Sequence, residues 1–490
     1  MRTLICFALG VGLLPSVYAQ DRPPDLLILT NVNVVDTRFG AIAANQTVVI
    51  KNGRISSIAR HGLIPANRST QIVNATGKYL IPGLWDMHVH SVRGSGLGWD
   101  EHVIYPLYVA NGVTGIRDMS TDVVALKERR DLIVAGELLG PHILMAGPSL
   151  NAGKSDEHTI GVNAPDEGRS AVRELKRQGV DFVRILPGLS RENYLAIAEE
   201  SQKQHLPLTG YPPESVTAME ASARGQRIVE DLSGVALACS SKEDELRQRR
   251  LEDLKNNDLT DFEATSAEAI ASYDPKKAWS VFVQLADNFT WQVPTLSWWH
   301  AEAELAKVKG RSDPLLKYVP AGFQTAPSAD IRDEHRAETV DFEKASATFV
   351  QLAGVMRHNA VPFLAGTDSP AAYVFPGFSL HEELELMVQG GFTNLEALQA
   401  ATFNPALFQT KLDHYGLVES GRTADLVLLD ANPLADIRNT RKISAVILGG
   451  RFYNRAALDR MLSTVAALVE AQRTSQQTEQ KAIPVAASSK

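Results

Sequence analysis

A (β/α)8 barrel carrying a small β domain built from both chain ends is the fold that the sequence predicts. Three observations predict it. Short β-rich runs occupy residues 26–81 and return near residue 425. Between them, strand and helix patterns alternate over about 330 residues. The strand runs in that middle number eight, which suits a closed barrel better than an open doubly wound sheet.

The first β-rich block contains Leu26–Leu29, Val32–Val35, Thr47–Ile50 and Ile55–Ile58, with Asn52-Gly53 marking a hairpin between the last two. In the late block, Asp425–Leu429 and Ala445–Leu448 read as strands, and Gly449-Gly450 turns the chain into Arg451-Phe452-Tyr453. The barrel strands begin with Leu84–His90. They continue through Val113–Arg117, His142–Ala146, Phe182–Leu186, Pro207–Gly210, Arg227–Glu230, Gln292–Leu296 and Pro362–Gly366. Helical stretches such as Glu167–Gln178 and Glu192–Gln204 lie between them. The long interval Ser240–Asn288, rich in both charges, reads as helices that overhang the mouth of the barrel. The expected division is residues 1–19 as a signal peptide, 20–81 with 412–455 as the composite β domain, 82–411 as the barrel, and 456–490 as a helix with a disordered tail from Thr474.

Arg2 before the apolar run Leu4–Val17, with Val17-Tyr18-Ala19 at its end, has the pattern of a cleaved export signal. A periplasmic or secreted location follows as an expectation. Cys6 would leave with that segment. Cys239, in Val235-Ala236-Leu237-Ala238-Cys239, would then be a single buried, inert thiol, and no intramolecular disulfide is expected. The 44% apolar and 22% charged content is that of a globular chain. A net charge of -8 with no Lys/Arg cluster argues against nucleic acid or an anionic membrane as partner, and no later run is apolar enough to span a bilayer. Further copies of the chain are left open as partners. Gly94-Ser95-Gly96-Leu97-Gly98 lacks the spacing of a phosphate loop and reads as a flexible loop.

The chemistry concentrates at strand ends. Side chains two apart on a strand share a face, so His88 and His90 in Asp86-Met87-His88-Val89-His90 can direct two imidazole nitrogens at one metal ion. In a parallel barrel such groups belong at the C-terminal strand ends, where His88 and His90 fall. Asp368, in Gly366-Thr367-Asp368-Ser369-Pro370, ends the eighth strand and is the matching carboxylate, although a strand-end Asp also suits a helix cap. Arg117 and Asp118 would face the same mouth, to bind a substrate carboxylate or to pair with each other. His158 and His300 read as surface or substrate-facing residues, and His381 as a capping or packing residue.

Three stretches together resemble the amidohydrolase superfamily, and most closely its secreted imidazolonepropionase-like members, which include relatives of Xaa-Pro dipeptidases. They are Leu80–His90, Leu364–Pro370 and Ala424–Pro433, and Phe375–Leu384 also resembles that group. The resemblance runs from about Leu26 to Leu462. It implies a metal-dependent barrel, a β-sandwich formed by both termini, and hydrolysis of an amide or related C–N bond in a small molecule or dipeptide. It further implies three more ligands: a carboxylated Lys on the fourth strand and a His at the end of each of the next two. Local alignment places Arg184, Tyr211 and Asp231 there instead. Arginine keeps its proton and cannot form a carbamate, and a phenol titrates near 10, so Arg184 and Tyr211 are not ordinary ligands. Asp231 can bind metal or pair with Arg184.

Three readings follow. The first is a hydrolase with one divalent ion, zinc by its donor set, on His88, His90 and Asp368, with Arg184 supplying lost positive charge and Tyr211 hydrogen-bonding the substrate. The second is a catalytically impaired binding or scaffold protein. The third is a rebuilt binuclear site that recruits Asp231 or a nearby His, such as His158 or His300.

Overall fold

The computed structural model describes residues 26–60, 70–92, 98–119, 122–255, 262–307, 313–325 and 341–482, in a mixed α/β arrangement. The expected export segment, residues 1–19, and most of the Gly94–Gly98 loop lie outside the described residues. No helix among the described residues is long and apolar enough to cross a membrane.

Both chain ends build one eight-stranded sheet. Its order is Arg451–Asn454, Ile443–Leu448, Leu426–Leu429, Tyr79–Pro82, Leu26–Val35, Ile42–Lys51 and Arg54–Arg60. Thr70–Asn74 also pairs with Leu26–Val35, in parallel. Tyr79–Pro82 against Leu426–Leu429 is the antiparallel seam that joins the termini. Asn52 and Gly53 both adopt left-handed φ, as a two-residue hairpin with this twist demands. Alternate side chains of these strands bury Leu27, Leu29, Val48, Ile50, Leu426, Leu428 and Ile447 in one apolar cluster.

The chain leaves this sheet at Gly83 and begins the strand Leu84–Val89, all six residues of which are buried. A Cβ at Gly83 would stand 2.0 Å from Thr114 Oγ1, so only glycine lets the two strands approach here. Leu84–Val89 pairs in parallel with Val113–Asp118, and that with His142–Met145. The Asp181 amide then donates to Met145 O at 2.9 Å. Val183–Ile185 pairs with Leu208–Gly210, whose Leu208 bridges to Gln226. Ile228–Glu230 pairs with Trp291–Val293, and Gln292 bridges to Phe363. Ser369 finally bridges back to Val89. The parallel pairings therefore return to the strand on which they started.

Two expectations are corrected here. The segment 362–366 is not a continuous strand: it holds a single bridge, at Phe363, because backbone contacts to the Leu84–Val89 strand hold the chain irregularly from here to Ser369. Residues 483–490 of the expected disordered tail lie outside the described residues, but residues 474–482 are helical. They continue a helix over Arg455–Ala482 whose buried Leu458, Met461, Val465 and Val469 anchor it on the main core, and Ala, Gln, Glu and Lys are good helix formers. Two short strands, Ser149–Asn151 and Thr159–Gly161, were also not foreseen. The interval 240–288 is helical as expected, over Glu243–Lys255, Phe262–Ala271 and Pro275–Asp287.

Candidate metal centre

The first strand and the Leu364–Ser369 segment are fastened to each other before any ligand is considered. Met87 N donates to Ala365 O at 2.8 Å, Asp368 N to His88 O at 2.8 Å and His90 N to Ser369 O at 2.8 Å. Gly366 permits this approach, since a Cβ there would lie 2.9 Å from His88 Cβ and 2.5 Å from Val293 Cγ1. Asp86 adds a side-chain clamp. Its Oδ2 accepts from Thr367 Oγ1 at 2.7 Å and its Oδ1 from Thr367 N at 3.0 Å and His88 N at 3.3 Å. Burial pushes the Asp86 carboxyl up to about 7 despite these hydrogen bonds. Asp368 has φ 62°, a sparsely populated backbone state held by these contacts.

This clamp brings His88, His90 and Asp368 together. One ligand atom from each lies within 4.8 Å of the others. His90 Nε2 is 2.9 Å and His88 Nε2 3.5 Å from Asp368 Oδ1. His88 is buried, and its Nδ1 has no hydrogen-bond partner among the described residues. Two imidazole nitrogens and one carboxylate oxygen at this spacing are a donor set that fits a divalent ion, zinc included.

Beneath them lies an ion cluster that the sequence did not disclose. Glu230, fully buried, accepts from Arg117 Nη2 at 2.9 Å on Oε1 and from Arg184 Nε at 2.9 Å on Oε2. Burial alone would raise the Glu230 carboxyl; Arg184, His88 and Arg117 outweigh it and hold the group at about 2. Arg184 is held above its ordinary range: burial opposes its charge, but Glu230 and the neighbouring Tyr211 and Asp231 prevail. Burial brings Arg117 down to about 10. The Arg117 guanidinium also lies 4.1 Å from the Phe182 ring centroid and donates to Met87 O at 3.0 Å. Two guanidinium groups on one carboxylate leave one net positive charge in this cluster.

The partner of Arg184 is thus Glu230 and not Asp231. Asp231 accepts from Tyr211 Oη on Oδ2 and from Thr295 Oγ1 at 2.8 Å on Oδ1. Its Oδ1 is 4.0 Å from His88 Nδ1, and it stands outside the three-residue cluster. Burial raises its carboxyl. The Tyr211 proton goes to Asp231, so in this arrangement Tyr211 offers a substrate an oxygen lone pair and not the proton expected of it. Arg117 and Asp118 do not pair with each other, because Glu230 takes the arginine and Ser91 donates to Asp118 from both its amide and its hydroxyl.

The remaining candidates lie elsewhere. His381 is buried, with Nε2 3.1 Å from Asn111 O and Nδ1 3.0 Å from Thr440 Oγ1, a packing role. His158 is exposed, and His300 Nε2 lies 3.5 Å from Glu382. Cys239 is buried, and burial pushes its thiol up to about 12, far from a nucleophile's range. Asp86 and Glu230 are the residues sequence reasoning missed. Asp86 stood two and four positions before the histidines, on their face of the strand, and that periodicity could have found it.

Residues 317–452 match the model of the amidohydrolase family. An adenine deaminase of Mesorhizobium japonicum is 30% identical over 121 residues, 22% of this chain and 20% of that protein. An ochratoxinase of Aspergillus niger is 24% identical over 476 residues, 84% of this chain and 83% of that protein. A crystal structure of a Xaa-Pro dipeptidase with methionine bound in its active site superposes with a TM-score of 0.63 at 20% identity, covering 88% of this chain and 100% of that one. The alignments to the first curated relatives, adenine deaminase and dihydroorotases, span between 20% and 50% of those proteins.

Proposed function

We propose, from the amidohydrolase family match at residues 317–452, that the chain is an amidohydrolase that hydrolyses an amide or related C–N bond of a small molecule or dipeptide with the help of one divalent ion. The observation that carries this reading is the convergence of His88, His90 and Asp368 within 4.8 Å. The hydrolytic relatives, among them the dipeptidase and the ochratoxinase, support the reaction class. The parallel pairings that return to their first strand support the (β/α)8 barrel, and the one sheet shared by both chain ends, with its common apolar cluster, supports the composite β-sandwich. Export by residues 1–19 and the domain limits at 20–81, 82–411, 412–455 and 456–490 belong to the same proposal.

His88, His90 and Asp368 would hold the ion, most suitably zinc, which when bound lowers the pKa of a water molecule and polarises the scissile carbonyl. The chain's own groups do the rest. Asp368, pinned by its backbone bond to His88, takes the proton of the attacking water and passes it to the leaving nitrogen. Arg184 spends Nε on Glu230, and no acceptor among the described residues takes its two Nη groups. Those groups donate to the substrate oxygen as negative charge grows on it. Tyr211 and Thr295 fix Asp231 beside His88 and act as positioning residues.

The test is a screen of the purified chain against dipeptides, N-acyl amino acids and lactones, with Asp368→Asn and His90→Asn as controls. Turnover is expected to fall by about 10²-fold or more in Asp368→Asn, the range for a lost general base. Turnover unchanged in both variants, or none in the parent chain with metal supplied, would overturn the reading.

A further inference from the structure

A second cleft, of about 670 Å³, opens at the other end of the parallel segments, against Phe182, Pro207 and Leu208 near their N-terminal ends. The metal centre lies at the C-terminal ends, so the two are separate. Arg227 lines this cleft half-buried, and no acceptor or carboxylate among the described residues pairs with its side chain. Burial pulls its guanidinium below the ordinary value, with no acidic neighbour to offset it. Two further polar atoms on the lining are stranded. Ser201 is 1% exposed and its Oγ has no partner, and Gln409 Nε2 is buried without one. Such groups are costly unless something completes them. Gln202, His205, Thr410 and Lys411 add polar groups, one of them a second cation, and the apolar part of the lining is led by Phe182, Phe408 and Leu206. Its one carboxylate, Asp181, is engaged by Arg130 at 3.0 Å and the Met145 amide at 2.9 Å, so it does not neutralise Arg227.

We propose that this cleft binds a small organic carboxylate with an apolar body. The carboxylate lies on Arg227, whose planar fork matches its two oxygens, with Gln409 Nε2 and Ser201 Oγ as further donors. The apolar body packs on Phe408, Leu206 and Phe182. Phe182 also carries the Arg117 guanidinium at 4.1 Å, so an occupant touches a residue next to the ion cluster of the metal centre.

The test is calorimetric titration of the full chain with phenylacetate, and with phenylacetamide as its uncharged match. His90→Asn is the second background, because it impairs the metal centre and leaves this cleft intact. Saturable binding of phenylacetate is expected in both backgrounds, about tenfold or more weaker in Arg227→Gln, the effect of losing one charge-assisted hydrogen bond. Gln409→Met weakens it in the same direction without touching the arginine, which covers an Arg227→Gln chain that fails to fold. No saturable binding, binding indifferent to both cleft substitutions, binding lost in His90→Asn, or phenylacetamide bound as tightly as the acid would each overturn the proposal.

Discussion

In the proposed reading, Arg184 limits the centre to one ion. A guanidinium cannot form the carbamate that the family resemblance implies at this position, and here its Nε is bonded to Glu230. Removing that charge leaves Glu230 buried against Arg117 alone. Arg184→Met is therefore expected to lower the unfolding free energy by about 3–5 kcal/mol, the cost of breaking a buried pair, with Arg184→Lys milder. Denaturant unfolding of both variants measures it; equal stability of Arg184→Met and the parent chain would refute the ion cluster. The sequence revealed Arg184 but not its partner. Strict alternation places neighbouring residues on opposite faces, so only one of Glu230 and Asp231 should have faced His88. Instead each has an oxygen 4.0 Å from His88 Nδ1. Asp231 has φ 55°, and that local break in the strand turns both acids to one side. Backbone breaks of this kind leave no mark in composition.

At the scale of the element, the legible features are those set by near neighbours. The hairpin at Asn52-Gly53 and the strand ending in His88 and His90 were readable, because turn chemistry and period-two spacing are local. The irregular segment at Phe363–Ser369 was not, since its shape is imposed by hydrogen bonds to a strand some 280 residues away in sequence. His381 shows the same dependence. It lies on the helix Phe378–Gln389 and packs between Asn111 and Thr440, contacts that only the folded chain creates. Burial, with Arg441 nearby, pulls its imidazole down to about 3. The unfolded chain binds a proton at His381 near pH 6.5 that the folded chain refuses. Its contribution is therefore present above about 6.5 and lost as pH falls from there towards 3. Between pH 7 and 4.5 this group alone should cost about 2–3 kcal/mol of stability. His381→Gln should remove that part of the pH dependence in chelated protein, where acid release of a metal plays no part. An unchanged slope would contradict the assignment.

At the scale of the whole molecule, the termini meet in one sheet, Gly83 hands the chain from that sheet to the first parallel strand, and the parallel segments return to it. This plan was readable because both β-rich ends and seven of the eight expected strand runs recur at distances that sequence patterning preserves. The C-terminal helix was partly hidden, since its Gln/Ser/Ala composition suits disorder as well as helix until Val465 and Val469 find the core. The plan places His88, His90 and Asp368 over the Arg117–Glu230–Arg184 cluster, and the central claim is that this cluster occupies the place of a second ion. The most direct test is the metal content of the purified chain, loaded with zinc and freed of loose ions. The account predicts about one equivalent per chain, lost in His90→Asn. About two equivalents per chain would contradict it.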